Sequence, residues 1–252
     1  MFSPEGPTLR ELAVQALSSV EHGYDLLAPK FDHTPFRTPD SVLDAVAEAL
    51  RATGPHGDGL DLCCGTGAGV DVLTAVCRDS VTGVDFSAGM LDVARRRTES
   101  APVPHGSGAG ASGPRVSWVR ADARDLPFAA AFDLVVSFGA FGHFLPRELP
   151  GLFAGVHGAL RPGGRFVFPV LAPPRPSTSA YWMLLGFDAV MRVRNALWRP
   201  PFVMYYRAFR LGEVRRELER AGFEVGLRAL PAFGTRDDGS PRVRLVEARR
   251  AD

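Results

Sequence analysis

The chain has 252 residues, 46% of them hydrophobic and 23% charged, and these ordinary values exclude global disorder. A formal net charge of +1 argues against nucleic-acid binding over the whole surface. Residues 127–252 nevertheless carry a net charge of +7, against −6 for residues 1–126. This excess represents either solvated arginines or a surface for an acidic substrate or an anionic membrane.

Cysteine usage and hydropathy indicate the compartment. The three cysteines, Cys63, Cys64 and Cys77, include no Cys-x-x-Cys spacing for zinc, so we expect no metal site and a reduced, cytoplasmic setting. The first ten residues lack a signal-peptide pattern, and no apolar run is long enough for a transmembrane helix.

The predicted elements begin with helices. Apolar spacing predicts one amphipathic helix over residues 8–27, and a second over Val42–Arg51 that Asp40 or Ser41 would cap. Residues 1–53 would form an N-terminal helical cap on a single domain that comprises residues 1–252.

The middle of the chain alternates between strands and helices. Short apolar strands are predicted near residues 58–63, 81–85, 116–119, 132–138 and 165–170, with helices near 68–78, 88–98 and 147–160. This alternation predicts an α/β fold with a parallel sheet, whose core covers residues 54–170.

Two segments interrupt the alternation. Residues 102–114 are rich in glycine and predict a surface loop, whereas residues 171–211 form an insertion with a helix near 179–198. The insertion combines eight aromatic residues with a net charge of +5, which suits a substrate lid, an interfacial helix at a membrane or a dimer contact. Residues 212–252 then predict a helix and two strands.

A glycine-rich turn follows the first predicted strand. Residues 60–69 read LDLCCGTGAG, a strand that runs into a turn and a helix, and glycines there let a ligand approach the backbone. The spacing departs from Gly-x-Gly-x-x-Gly, which weakens a dinucleotide interpretation. Two further carboxylates follow strands: Asp85, placed to bind ribose hydroxyls, and Asp122, placed to accept a hydrogen bond from an adenine amine.

These blocks, followed by FDLVVSF at residues 132–138 and LRPGGRF at 160–166, resemble in order and spacing the class I S-adenosylmethionine-dependent methyltransferases. The resemblance implies a doubly wound, mostly parallel seven-stranded sheet, a Rossmann-like fold, in which the last hairpin introduces an antiparallel strand. The family often has glycine where Cys63 stands, and we interpret Cys63 and Cys64 as packing residues.

The resemblance also implies S-adenosyl-L-methionine as the cofactor and assigns residues to it. Asp61, Gly65 and Gly67 would hold its methionine end, and Asp85 its ribose. Around the adenine and the sulfonium the resemblance would place Phe86, Met90, Asp122, Ala123 and Phe138, and Tyr24 would cover the cofactor from the N-terminal segment.

On the acceptor side, His143 follows the fourth strand and is the candidate catalytic base, although it could instead line the pocket or cap a helix. We expect His143, Trp182, Tyr205 and Tyr206 to contact the substrate. The predicted function is methyl transfer to a small molecule by in-line displacement, with no nucleic acid involved and with peripheral membrane contact through residues 178–200 as an option. The alternatives are an RNA or protein methyltransferase, an NAD-type oxidoreductase, and a non-catalytic S-adenosylmethionine-binding module.

Overall fold

A computed structural model describes residues 5–100, 113–205 and 210–251. Its strands are β1 (His56–Leu62), β2 (Cys77–Asp85), β3 (Arg115–Arg120), β4 (Phe132–Val136), β5 (Leu160–Leu171), β6 (Phe223–Ala229) and β7 (Val243–Arg250). Its helices are α1 (Leu9–Leu17), α2 (Val20–Leu27), α3 (Asp40–Arg51), α4 (Ala68–Thr74), α5 (Ala88–Ser100), α6 (Leu149–Ala159), α7 (Ser179–Leu197) and α8 (Leu211–Arg220). The predicted loop over 102–114 lies outside the described residues, apart from its last two.

The strands form one sheet in the order β3-β2-β1-β4-β5-β7-β6. Strands β1 to β5 pair in parallel, and β7 runs antiparallel to both β5 and β6. The predicted fold class is therefore confirmed. Strand order reverses between β1 and β4, and in open α/β sheets the loops beyond the carboxyl ends of the strands separate at this point and leave a crevice for ligands.

The sheet is buried on both faces. Leu60, Leu134 and Val135 in its centre are fully inaccessible to solvent, as expected of parallel strands covered by helices on each side. On one face the core contains Phe153 of α6 and Val214 of α8, and on the other it contains residues of α3, α4 and α5. The carboxyl ends of β1 to β4 are thus held by two packed layers.

The N-terminal helix prediction was wrong in one respect. The predicted helix over residues 8–27 is two helices, because the chain is extended at Ser18 and Ser19. The Ser19 Oγ accepts a hydrogen bond from the His22 N–H at 3.1 Å and caps α2, so the second helix begins in a new direction. The second predicted helix starts at Asp40, after Pro39, and neither Asp40 nor Ser41 is its N-cap. None of the described helices is long and apolar enough to cross a membrane.

Candidate active site

A cavity of about 450 Å³ opens at the carboxyl ends of β1 to β4, within the range usual for small-molecule sites. The loops after these strands form its floor, and α2 with residues 201–203 forms its outer wall. Its lining includes polar, acidic, aromatic and apolar residues, among them Tyr24, Phe31, Gly65, Asp85, Phe86, Met90, Asp122, Phe138, His143 and Val203.

Asp85, the last residue of β2, presents a buried carboxylate to this cavity. Its Oδ2 accepts a hydrogen bond from the Gly65 N–H and its Oδ1 one from the Ser87 N–H, both at 2.9 Å. Burial raises the pKa of Asp85 to about 6, although these two bonds favour the ionised form. A carboxylate has about four acceptor positions, so two remain for a ligand.

The glycine-rich turn follows β1, and its backbone explains why glycine suits it. Gly65 and Gly67 have φ of +52° and +93°, in the left-handed region that side chains disfavour. Cys63 also lies in this region at φ +58°, which gives a physical reason for the glycine that the family often has there. Burial raises the pKa of the Cys63 and Cys64 thiols, so both stay protonated at neutral pH, in agreement with a packing role.

Asp61, in β1, lies beneath this turn rather than in the cavity. Only 1% of its surface is exposed, and neither carboxylate oxygen has a hydrogen-bond partner among the described residues. Burial raises its pKa well above the usual range. A Cβ at Gly69 would come within 2.4 Å of Asp61 Oδ2, so glycine is required where α4 begins. Gly67 faces away from the cavity as well, toward a smaller depression beside Trp118.

Asp122 and Ala123, beyond β3, line the cavity as the sequence predicts. Both oxygens of Asp122 accept hydrogen bonds from the Arg124 guanidinium, and Oδ1 also accepts one from the Arg124 N–H at 2.9 Å. Arg124 in turn donates to Glu148 at 2.9 Å. The guanidinium is the main cause that holds the pKa of Asp122 below its usual value. Contact between Asp122 and an adenine amine remains a prediction.

His143 lies at the centre of a hydrogen-bonded chain. Its Nδ1 lies 2.7 Å from the Val203 carbonyl oxygen, which can only accept, so Nδ1 carries the proton. In the neutral ring Nε2 is therefore an acceptor, and the Tyr24 hydroxyl donates to it at 2.8 Å. Burial lowers the pKa of His143, so the ring is neutral at pH 7. The arrangement presents a neutral base, through Tyr24, in the wall of the cavity.

Three carboxylates attach the N-terminal segment to the sheet edge. Asp25 accepts hydrogen bonds from the Ser87 hydroxyl at 2.6 Å and the Gly89 N–H at 2.9 Å. Asp32 accepts one from the Thr66 hydroxyl, and Glu21 one from Arg120, both at 2.7 Å. Sequence reasoning missed these three residues because each partner lies far along the chain. No local signal distinguishes them from ordinary surface acids.

The structure brings most of the predicted site residues together. Tyr24, Gly65, Asp85, Phe86, Met90, Asp122, Ala123, Phe138 and His143 line the cavity, whereas Asp61, Gly67, Trp182 and Tyr205 do not.

Two of the aromatic residues predicted to contact the substrate, Trp182 and Tyr205, lie away from the cavity. Trp182 is 62% exposed, and its Nε1 donates to the Pro176 carbonyl. Tyr205 is buried behind the wall, where its N–H donates to the Gly142 carbonyl at 2.8 Å and its hydroxyl accepts from Asn195. Tyr206 lies outside the described residues. The insertion instead contributes Pro201 and Val203 to the cavity.

Comparison with known proteins finds similarity to methyltransferases. Residues 60–164 match a family model described as a methyltransferase domain. The chain is 40% identical over 136 residues to a demethylmenaquinone methyltransferase of Clavibacter sepedonicus, an alignment that covers 53% of this chain and 47% of the relative. It is 33% identical over 125 residues to a 2-phytyl-1,4-naphtoquinone methyltransferase of Nostoc sp., and this alignment covers 46% of this chain and 48% of the relative. The chain spans about half the length of these curated relatives.

Among solved structures, the complex of DhpI with SAH superposes with a TM-score of 0.63 and 20% identity, over 97% of this chain and 99% of that one. A likeness at this identity establishes the fold. The family match includes the glycine-rich turn, Asp85 and Asp122, so residues 60–164 of this chain are similar in sequence to a methyltransferase domain, and the chain has the fold seen in the DhpI–SAH complex.

Proposed function

We propose that this chain transfers a methyl group from S-adenosylmethionine to an apolar small molecule that carries an acidic hydroxyl on an unsaturated ring, such as a hydroquinone or a phenol. The neutral His143, reached through Tyr24 in the wall of the cavity that contains Asp85, is the observation that carries the proposal.

The residues present fit an adenosyl group. Asp85 has two acceptor positions left for the two ribose hydroxyls, and the space next to Gly65 is open, since the nearest atom to a Cβ built there is Phe31 Cε1 at 4.0 Å. Phe86 and Met90 offer apolar surface for the adenine ring, and Asp122 and Ala123 would bind its polar edge. Asp61 and Gly67 would support the turn from behind.

When bound, S-adenosylmethionine supplies a methyl group on a positively charged sulfur, and that charge is lost as the methyl leaves. Phe138, Phe144 and Val203 line the same cavity as His143, and their apolar side chains offer water no hydrogen-bond partner. A site with little water disfavours the charged ground state relative to the less charged transition state. Holding the acceptor against this wall also removes the entropic cost of bringing two reactants together.

Tyr24 and His143 would remove the proton of the acceptor. The Tyr24 oxygen accepts the proton of the substrate hydroxyl while its own proton passes to His143 Nε2, and the Nδ1–H continues to donate to Val203. The deprotonated acceptor then takes the methyl group on its oxygen or on the ring carbon beside that oxygen. Two relatives named as quinone methyltransferases support an acceptor of this class.

The test is a panel of acceptors supplied with S-adenosylmethionine and analysed by mass spectrometry. The panel contains a naphthohydroquinone, a monophenol, an aliphatic amine and an aliphatic carboxylic acid. We expect a gain of one methyl on the hydroquinone or the phenol, and loss of that product in His143→Gln. Methylation of the amine or the acid alone, or full activity of the variant, would contradict the proposal.

A further inference from the structure

Helix α7 turns its apolar side to solvent. Trp182, Met183, Val190, Val193 and Leu197 fall on one stripe at helical spacing, and between 59% and 81% of each is exposed. We call this stripe, together with Leu185, the outer face of α7. Monomeric soluble proteins seldom expose a continuous apolar surface of this kind without a partner.

Three polar residues of α7, Asp188, Arg194 and Asn195, face inward. Asp188 is buried, and Asn195 binds the backbone of Phe202 and the Tyr205 hydroxyl. The Arg194 guanidinium donates to the Ser18 carbonyl at 3.1 Å and to the Pro200 carbonyl at 2.6 Å. The orientation of the helix is therefore fixed by specific hydrogen bonds, and the exposure of the apolar stripe follows from it.

The charged residues of α7 indicate what kind of surface its outer face binds. Asp188 is the only acidic residue in 178–200 and is buried, whereas Arg199, just after α7, is exposed, and Arg192 is exposed with its guanidinium 4.6 Å from the centre of the Tyr205 ring. Trp182 and Trp198 stand at the two ends of the helix and are also exposed. Apolar residues with arginine and tryptophan but no exposed acid are typical of helices that lie in the interface of an anionic membrane. A two-fold contact with a second copy would bring arginines together with no acid to pair with them.

Helix α7 itself also lies next to the cavity, on the side opposite its outer face. Arg194 contacts Ser18, and the following residues Ser19 and Val20 line the cavity; on the other side, Pro201 and Val203 line it just after α7 ends. We infer that α7 binds the surface of an anionic lipid bilayer through its outer face, and that the cavity receives its acceptor from that bilayer. The second half of this inference rests on the proposed function, and the first half does not.

The test is sedimentation of the full chain with lipid vesicles. One set contains phosphatidylcholine alone, and the other an equimolar mixture of phosphatidylcholine and phosphatidylglycerol. We expect the wild type to sediment with the mixed vesicles and less with the neutral ones, and to bind more weakly at high salt. The double variant Val190→Ser/Leu197→Ser should bind the mixed vesicles about tenfold more weakly or worse. Leu227→Ser, which alters an exposed apolar residue of β6, is the matched control and should bind as the wild type does.

Calorimetric titration with S-adenosylhomocysteine shows that each variant is folded and separates this inference from the proposed function. Neither serine variant touches the cavity, so both should bind this nucleoside as the wild type does. Wild-type protein that stays in solution with every vesicle, or a double variant that binds them undiminished, would overturn the inference. A wild-type protein with twice the mass of the chain in solution, and a double variant with the mass of one chain, would also overturn the inference. That result would show that the outer face of α7 contacts a second copy of the chain.

Discussion

The two walls of the cavity are built differently. On the side where we propose that the cofactor binds, which we call the cofactor side, Asp85 and Gly65 lie at the ends of adjacent strands, and backbone N–H groups hold the carboxylate in place. On the acceptor side, Tyr24 meets His143 across 119 residues of sequence, and Val203 comes from a third segment. The cofactor side is therefore a property of the sheet, whereas the acceptor side depends on packing between segments that can change without disturbing the sheet.

Replacing His143 should show most strongly that the two walls have different roles. In His143→Gln, we expect kcat to fall by about 10²–10⁴-fold, the usual contribution of a general base. The affinity for S-adenosylhomocysteine should stay within about twofold, since Asp85 and Gly65 are untouched. Turnover assays and calorimetry measure the two quantities, and equal loss in both would remove the distinction between the walls.

Replacing Asp85 should have the opposite pattern. Asp85→Ala removes the proposed acceptor for the two ribose hydroxyls, so we expect S-adenosylhomocysteine to bind at least about tenfold more weakly in calorimetry. The melting temperature should fall as well, because Gly65 and Ser87 lose the acceptor of their N–H groups, and an unpaired N–H at the buried Ser87 alone costs about 1–3 kcal/mol. Unchanged affinity would place the ribose elsewhere.

The pH dependence of binding gives a finer test of the same wall. The pKa of Asp85 is raised to about 6. The ionised carboxylate is the form that would accept both ribose hydroxyls in the proposed site. Affinity for S-adenosylhomocysteine should be constant above pH 7 and should fall by about tenfold per pH unit well below pH 6. Asp85→Asn, which does not titrate, is the control, and an equally steep decline in that variant would assign the effect to another group.

The smallest expected effect belongs to Tyr24→Phe. This variant keeps the ring and removes the hydroxyl between the acceptor and His143, so kcat should fall by about tenfold, less than in His143→Gln because a water molecule can take the place of the hydroxyl. Nucleoside affinity should barely change. Turnover equal to that of the wild type would show that His143 receives the proton without Tyr24.

The contrast between the walls also explains what the sequence could predict. Gly65, Asp85 and the strand order follow from local patterns, because a strand, a tight turn and a helix determine where the backbone and the next carboxylate lie. The motif predicts that Asp61 holds the methionine end of the cofactor, and this contact stays a prediction. The burial of its side chain beneath the turn depends on the close approach of Gly69, which the motif does not reveal. A local sequence pattern predicts where a residue lies along a strand, but it does not predict how accessible the side chain is.

The acceptor side was predicted less well for a physical reason. Composition marks residues 171–211 as aromatic and basic, but it does not say which face of α7 packs inward. Polar contacts of Arg194 and Asn195 decide this, and they leave Trp182 in solvent and Tyr205 behind the wall. His143 was found because it follows β4, a position that the fold itself brings to the cavity.

A crystal structure of the complex with S-adenosylhomocysteine tests the central claim most directly. The account predicts both ribose hydroxyls within hydrogen-bond distance of the Asp85 carboxylate, and the sulfur directed toward the part of the cavity lined by Phe138, Tyr24 and His143. A nucleoside bound away from Asp85, or a sulfur that faces away from His143, would contradict it.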